Sequence, residues 1–367
     1  MSSELRFERI VVKHFRNIAS AEVVPAPRLN VVFGDNGHGK TSLLEALYVL
    51  ATSKSFRADK AVEVIATGEE RALVAARLVE EGLGREQRAV LAARSRVFSA
   101  DGKRIAKLGV YATKTPVVVF HPGDLALVSG PAQGRRTLLD RVALFLEPQS
   151  ADHRSRYSHA LRERQRALEE RGPRAAELDA FEALVAEHGA ALERCRARAA
   201  ERLHEALEPA FASMAAPELV LSVRFLPGGP SEASELARTL SEARPVDLRR
   251  GSARFGPHRD ELALEVDGRS ARRHASQGQQ RVLALALKVA ELVCVREARR
   301  ANPILLLDDV SSELDAQRFD AVFRLISSVS SQVFVTTPRP ELFQIPELDT
   351  SARADFRVAS GVVERVG

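Results

Sequence analysis

Several residue types are scarce in this chain of 367 residues, and each scarcity excludes a class of protein. There are only two cysteines, Cys195 and Cys294, and they lie far apart in the sequence. So small a number excludes a disulfide-stapled fold, and the lack of paired ligand spacing argues against a cysteine-based zinc site. We therefore expect both cysteines to be small buried hydrophobic residues.

Long uncharged apolar runs are also missing. The longest candidate, Val282–Val295, is interrupted by Lys288 and Glu291, whereas a membrane span needs about 20 consecutive apolar residues. The N-terminal segment lacks the apolar core of a signal peptide. We therefore expect a cytoplasmic protein with no membrane association.

Positive charge is in slight excess, and aromatic residues are few. The 54 Lys and Arg residues against 49 Asp and Glu give a net charge of +5. That excess permits an acidic partner such as nucleic acid but does not establish one. With no Trp and three Tyr, a base-stacking platform is not expected. Any DNA contact should therefore fall mostly on backbone phosphates and weaken with salt.

Strand and helix patterns alternate at both ends of the chain, around a helical middle. The middle has the spacing of two or three amphipathic helices, broken at Gly172–Pro173. This organisation is typical of one α/β domain split by a helical insertion. The main predicted elements are the strands 5–12, 21–24, 29–33, 72–79, 85–92, 117–120, 219–225, 262–266, 304–308 and 332–336, and the helices 41–51, 277–299 and 315–330.

The segment Gly34–Thr41 fits the phosphate-binding pattern G-x-x-x-x-G-K-[ST], between an apolar strand and an amphipathic helix. Glycines let the backbone wrap closely around a phosphate chain, and the helix that begins near Lys40 adds partial positive charge. Lys40 is expected to reach the β- and γ-phosphates of ATP, and the Thr41 hydroxyl to ligate Mg²⁺. The predicted nucleotide-binding residues here are Gly34, Asp35, Asn36, Gly37, His38, Gly39, Lys40, Thr41 and Ser42.

Two carboxylates, Asp308 and Asp309, stand at the carboxyl end of the strand 304–308, where ligands bind in open α/β sheets. An apolar run that ends in aspartate is a weak motif alone, but the upstream phosphate loop makes it a strong one. Asp308 is predicted to hold Mg²⁺, directly or through water, and Asp309 to orient or deprotonate the attacking water. The predicted catalytic residues are thus Lys40, Asp308 and Asp309, and the predicted metal ligands are Thr41 and Asp308.

A third motif, Ser276–Arg281 (S-Q-G-Q-Q-R), opens the helix 277–299. Ser276 is a good N-cap residue, and a helix N-terminus favours an anion. A capped helix start with nothing bound would account for the motif if it stood alone. Its place between the phosphate loop and Asp308 favours a role at the nucleotide instead.

The order of these motifs, followed by Ser312–Asp315, resembles the ATP-binding-cassette (ABC) ATPases. The resemblance implies that Ser276 and Gly278, with Gln279, bind the ATP held by a second subunit, so that ATP makes a homodimer and hydrolysis opens it. It also implies that Asp315 lies along the dimer interface. The expected fold is an α/β ABC-type P-loop ATPase head, with residues 1–119 and 246–367 as lobe I and 120–245 as an inserted, mostly helical lobe II.

Longer stretches resemble the RecF family of bacterial recombination mediators. They are Phe15–Asn17, Asn36–Ala46, Ser55–Arg57, Gly130–Asp140, Gly256–Leu262 and Leu306–Asp315, and the string G-P-H-R-D at Gly256–Asp260 is the most specific of them. The resemblance implies an ATP-dependent DNA-binding ATPase in gap repair, replication restart and the SOS response. It implies a dimer that clamps duplex DNA or single-strand/duplex junctions, and RecR, RecO and RecA as partners.

The chain departs from these families at a few positions. Ala132 and Leu138 stand where RecF members usually have proline and an aromatic residue. Asp309 stands where many cassette ATPases have glutamate, and Thr336–Thr337 where many transporters have a histidine. The shorter carboxylate should lie farther from the attacking water, and together with the missing histidine it predicts slow hydrolysis. The expected activity is that of a slow, DNA-stimulated ATPase.

Five other residues have open roles. Arg16 and Arg57 are candidates for nucleotide phosphates or the partner subunit, and Arg135 and Arg136 for DNA or the interface. Arginine makes bidentate phosphate contacts but is also a common surface residue. His258 fits a structural role as well as a functional one.

Two alternative functions stay open. A transporter nucleotide-binding subunit is disfavoured by the chain length, the insertion and the G-P-H-R-D string. An SMC- or Rad50-type chromosome ATPase is disfavoured because the helical segment is far too short for the long coiled coil of those proteins.

Overall fold

The computed structural model describes residues 3–214, 219–309, 330–343 and 349–366. They form two compact units. The first comprises the residues up to Asp124 together with those from Val295 onward, and the second is Leu125–Cys294. The chain therefore leaves the first unit once and returns to it once, as expected for an insertion.

Helices and strands occupy both units, and their bounds are as follows. The helices are α1 (Lys40–Thr52), α2 (Leu108–Lys114), α3 (Ala126–Ser129), α4 (Ala132–Leu146), α5 (Ser150–Arg171), α6 (Leu178–Met214), α7 (Ala233–Arg250), α8 (Ala271–His274) and α9 (Gln277–Arg299). The strands are β1 (Ser3–Phe15), β2 (Ile18–Val23), β3 (Leu29–Phe33), β4 (Arg71–Glu80), β5 (Leu83–Ala92), β6 (Ser95–Ala100), β7 (Lys103–Arg104), β8 (Val117–Phe120), β9 (Leu221–Leu226), β10 (Glu261–Val266), β11 (Arg269–Ser270), β12 (Ala301–Asn302), β13 (Ile304–Asp308), β14 (Val333–Thr337), β15 (Arg353–Ala359) and β16 (Val362–Val366).

One sheet of the first unit positions the phosphate loop. Its strand order is β16-β15-β3-β14-β13-β8, and all neighbours are parallel except β15 and β16. The strands β13 and β14 are buried along their whole length, as is usual for parallel strands covered on both faces. Phe33 pairs with Thr337, and Thr336 pairs with Asp308. This register brings the ends of β3, β14 and β13 to one edge of the sheet.

A second, largely antiparallel sheet completes the first unit, in the order β12-β1-β4-β5-β6-β7 with β2 also paired to β1. The helix α1 contributes to the same hydrophobic core as both sheets. Leu43, Leu44, Leu47 and Leu50, the apolar face predicted from helical spacing, are all fully buried there. The helix is thus fixed by its packing, which holds its first turn at the end of the phosphate loop.

The second unit consists of packed helices and the small sheet β11-β10-β9. The predicted break between its long helices is confirmed: α5 ends at Arg171, and Gly172 follows with a φ of 80°. Arg164 of α5 is fully buried and lies 2.9 Å from both Glu182 of α6 and Asp247 of α7. A buried charge is tolerated only with such partners, so this cluster ties the three helices together.

The segment 246–294, which the sequence analysis assigns to lobe I, clusters with the helices in the second compact unit. The reason lies in its pairing: β10 pairs with β9, and Arg196 of α6 lies 2.9 Å from Asp260. The lobe boundary at residue 245 stays a prediction. The predicted helix 315–330 lies outside the described residues, apart from Ser330.

Other expectations concern burial and the membrane. Cys195 and Cys294 are both buried, as predicted. Within the described ranges, no helix combines the length and the apolarity needed to cross a membrane.

Candidate functional site

The loop between β3 and α1 has a backbone that requires its glycines. Gly34 and Gly39 have φ values of 144° and 116°, in a region that side-chain-bearing residues rarely adopt. A Cβ added to Gly34 would lie 2.2 Å from the Val358 carbonyl oxygen, and one added to Gly39 would lie 3.0 Å from Asn17 Oδ1. The two glycines that the phosphate-binding pattern specifies are therefore the positions where the loop backbone comes close to Val358 and Asn17.

Lys40 lies over this loop. Its Nζ donates hydrogen bonds to the carbonyl oxygens of Gly34, at 2.6 Å, and Asp35, at 2.9 Å, and the residue is only 7% exposed. Burial lowers the pKa of Lys40, against the opposing effect of the Asp309, Asp308 and Asp35 carboxylates. The loop carbonyls and the three carboxylates therefore hold the Lys40 amino group at the loop.

Thr41 and Asp308, the predicted metal ligands, are brought together. The Thr41 hydroxyl donates a hydrogen bond of 2.7 Å to Asp308 Oδ1, and the Thr336 hydroxyl donates one of 2.8 Å to the same oxygen. Hydroxyl and carboxylate oxygens are the donors that Mg²⁺ prefers, with water filling the other positions. The residues present therefore fit a magnesium ion.

Asp309 follows β13 with a left-handed backbone, at a φ of 50°. Its amide donates hydrogen bonds to the carbonyl and the hydroxyl of Thr336, at 3.2 and 3.0 Å. Asp309 lines a cleft of about 790 Å³ in the first unit. The predicted site residues that share this cleft are Asn36, Gly37, Gly39, Lys40, Thr41, Ser42 and Asp309, with Arg16 and Arg57.

Asn17 supports the loop through its side chain, a role that was not predicted from the sequence. Its Nδ2 donates a hydrogen bond of 3.1 Å to the Gly37 carbonyl, and its Oδ1 accepts one of 2.9 Å from the Ser42 hydroxyl. The only sequence signal is that Asn17 ends the family-like stretch Phe15–Asn17. Its amide side chain connects the tip of the loop to the first turn of α1.

Arg16 and Arg57 share one buried partner, Glu45 of α1. Arg16 makes a bidentate contact to Glu45 at 2.8 and 3.0 Å and donates a hydrogen bond of 2.6 Å to the Glu63 carbonyl. Arg57 is 3.7 Å from Glu45, and its side chain is 46% exposed. Arg16 is therefore held by its contacts with Glu45 and Glu63 and has a structural role, whereas Arg57 is more exposed and makes a longer contact.

The signature motif in the second unit forms a reciprocal cap on α9. The Ser276 amide donates a hydrogen bond to Gln279 Oε1 at 2.8 Å, and the Gln279 amide donates one to Ser276 Oγ at 3.2 Å. This is a capping box, which fixes the first turn of a helix. Ser276 and Gly278 are exposed. The predicted interface residue Asp315 lies outside the described residues.

Arg135, Arg136 and His258 belong to the framework of the second unit. Arg135 is 5% exposed and makes a bidentate contact to Glu261, at 2.6 and 2.8 Å. Arg136 donates a hydrogen bond of 2.9 Å to the Asp260 carbonyl. His258 lies 2.6 Å from the Tyr157 hydroxyl, and burial lowers the pKa of its ring. The G-P-H-R-D string is thus a structural junction, a role that only the tertiary contacts reveal.

Relatives in sequence and structure match nearly the whole chain. The family model described as "RecF/RecN/SMC N terminal domain" matches residues 6–352. The DNA replication and repair protein RecF of Anaeromyxobacter sp. (strain Fw109-5) is 39% identical over 345 residues, which cover 91% of this chain and 93% of the relative.

Two solved structures agree with these sequence matches. The recombination mediator protein RecF-ATPrS of the RecFOR pathway superposes with a TM-score of 0.87 at 25% identity, covering 100% of this chain and 99% of its own. The Smc head domain from Pyrococcus furiosus gives 0.54 at 17% identity, covering 99% and 96%. The predicted fold class, an α/β ABC-type ATPase head, is confirmed.

Proposed function

The chain belongs to the RecF family of DNA replication and repair proteins, and we propose that it is an ATP-dependent DNA-binding ATPase that acts as a recombination mediator at DNA gaps. The observation that carries the ATPase part of this proposal is the contact between Thr41 and Asp308. They are 267 residues apart in sequence yet share a 2.7 Å hydrogen bond beside the phosphate loop. Such a pairing is what a P-loop ATPase needs for its nucleotide.

ATP binds through the loop 34–41 in this proposal. The N-terminus of α1 and the Lys40 ammonium place positive charge where the phosphates lie. Thr41 and Asp308 hold Mg²⁺, which when bound neutralises part of the phosphate charge. The positive charge that would bind the phosphates thus comes from a helix N-terminus, one lysine and one magnesium ion held by two residues.

Hydrolysis depends on Asp309. Asp309 lines the cleft that contains Lys40 and Thr41, so we assign it the role of orienting or deprotonating the attacking water. Aspartate is shorter than glutamate and reaches less far toward that water. We therefore propose that hydrolysis is slow. In this proposal DNA stimulates hydrolysis, and hydrolysis times the release of DNA.

The substitution Asp309→Asn tests this role. Asparagine keeps the size of the side chain and tolerates the left-handed backbone, but it cannot accept a proton. We expect hydrolysis to fall by about 100-fold or more while ATP binding is retained. Phosphate release and binding of a fluorescent ATP analogue measure the two properties. A wild-type ATP turnover above about 10 s⁻¹ would contradict the proposal of slow hydrolysis.

ATP joins two protomers in this proposal. The signature residues Ser276 and Gly278 are exposed at the N-terminus of a helix of 23 residues, and such a terminus attracts anions. The ATP held by one protomer is therefore bound on its other side by the signature of a second protomer. Closure of the homodimer concentrates the modest positive charge of each chain around DNA.

Two substitutions separate nucleotide binding from dimerisation. Lys40→Ala should abolish both, because it removes the cation at the loop. Ser276→Arg should leave nucleotide binding by the single protomer intact and block the ATP-dependent dimer. Sedimentation velocity with and without ATP measures the dimer. If Ser276→Arg abolished nucleotide binding itself, the assignment of the signature to the second protomer would be wrong.

DNA and the partners follow from the family. The solved relative is a recombination mediator of the RecFOR pathway, and we propose that this chain likewise acts with RecR, RecO and RecA in the cytoplasm, in gap repair, replication restart and the SOS response. Arg135 and Arg136 are engaged within the second unit, which disfavours them as DNA contacts. In this proposal, other Lys and Arg side chains on the surface contact the DNA.

Binding to labelled gapped, duplex and single-stranded DNA, across a salt series, tests the DNA proposal. We expect binding to require ATP and to favour gapped over single-stranded DNA. The logarithm of the binding constant should fall linearly with the logarithm of the salt concentration. Lys40→Ala should lose the ATP-dependent part and Asp309→Asn should keep it. Equal DNA binding with and without ATP would overturn the proposal that ATP closes the homodimer around DNA.

The two alternative functions are less well supported. The relatives that match nearly the whole chain carry the RecF name, which disfavours a transporter subunit. The similarity to Smc heads concerns the fold of the head alone.

A further inference from the structure

The C-terminal hairpin lies beside the nucleotide-binding loop. Its strands β15 and β16 are joined by Ser360 and Gly361, whose φ values are 47° and 80°. A two-residue turn with two positive φ values is the hairpin type that favours glycine. Strand β15 pairs in parallel with β3, and Arg357 is in register with Phe33, the residue before the loop.

The backbone of this turn contacts the loop directly. The Gly361 amide donates a hydrogen bond of 2.9 Å to the His38 carbonyl. A Cβ added to Gly361 would lie 2.0 Å from the Asn17 carbonyl oxygen, a distance that real Cβ atoms do not show. Only glycine fits between these two segments without moving one of them.

Two successive carbonyls at the tip of the loop are therefore held from outside. Asn17 holds the Gly37 carbonyl, and Gly361 holds the His38 carbonyl. A peptide unit is planar and trans, so its N–H points opposite to its C=O. Fixing these two carbonyls on Asn17 and Gly361 turns the amides of His38 and Gly39 away from those partners, so that they are free to face a phosphate.

We propose that Gly361 is a positioning residue for the nucleotide-binding loop, and that the C-terminal turn is part of the ATP site although it lies more than 300 residues from that loop in sequence. The inference rests on the proposed binding of ATP by residues 34–41. Gly361 acts through the His38 peptide and does not touch the nucleotide.

A second turn of the same chain provides a matched control. Asp101 and Gly102 join β6 to β7 with φ values of 49° and 74°, nearly those of Ser360 and Gly361. A Cβ added to Gly102 meets no described atom within 4 Å. The substitution Gly102→Ala therefore reproduces the backbone strain of Gly361→Ala without the contact to the loop.

The test compares the Kd of a fluorescent ATP analogue for the two variants and the wild type. The loss or distortion of one hydrogen bond should raise the Kd of Gly361→Ala by about three- to tenfold, whereas Gly102→Ala should stay within about twofold. Thermal unfolding of both variants shows how far each is strained. Equal Kd values for the two variants would overturn the inference. Failure of the wild type to bind would overturn the proposed ATP site itself.

Hydrogen exchange in the wild type gives a test that needs no variant. Because coupling between two sites is reciprocal, ATP should slow amide exchange in the peptide that covers 359–366. The peptide that covers 100–104 should not respond. An unchanged rate at 359–366 in the presence of saturating ATP would also overturn the inference.

Discussion

The direction of the peptide groups in the loop 34–41 is the constraint on which the site depends. A phosphate chain needs several N–H groups that converge on one small volume, and the carbonyls of the same peptides must then find partners elsewhere. Asn17 and Gly361 supply outside donors for two of these carbonyls. Gly34 and Gly39 supply the backbone angles and the close approach. The strands β3 and β15 and the buried face of α1 hold these parts in register.

The two carboxylates proposed to act in catalysis depend on the same sheet. Because β3, β14 and β13 are parallel neighbours, their carboxyl ends meet at one edge, and Thr41 and Asp308 come within hydrogen-bond distance. The signature belongs to the other compact unit and is held by its own capping box. In the proposed homodimer, each protomer offers a loop for the phosphates and an exposed helix end. An ATP sandwiched between two such protomers would contact both.

The sequence predicted the elements that carry the motifs better than the contacts between them. The strands β3, β8 and β13 and the helix α9 have the predicted bounds, because strong apolar periodicity and sharp end signals mark them. The helices α4 and α7 were not predicted. The roles of Asn17, Glu45 and Gly361 were also missed, since each depends on a neighbour distant in sequence. Arg135 and His258 illustrate the same limit: residue type alone does not distinguish a buried framework contact from a ligand contact.

If a complete ATP site is built from two protomers, as proposed, two inactive variants should restore each other when they are mixed. In a mixed dimer of Lys40→Ala and Ser276→Arg, one site carries both defects, and the other combines an intact loop with an intact signature. We expect ATP-dependent dimers and ATP hydrolysis, absent from each variant alone, to return when the two are mixed. No recovery in the mixture, with each variant folded, would contradict it.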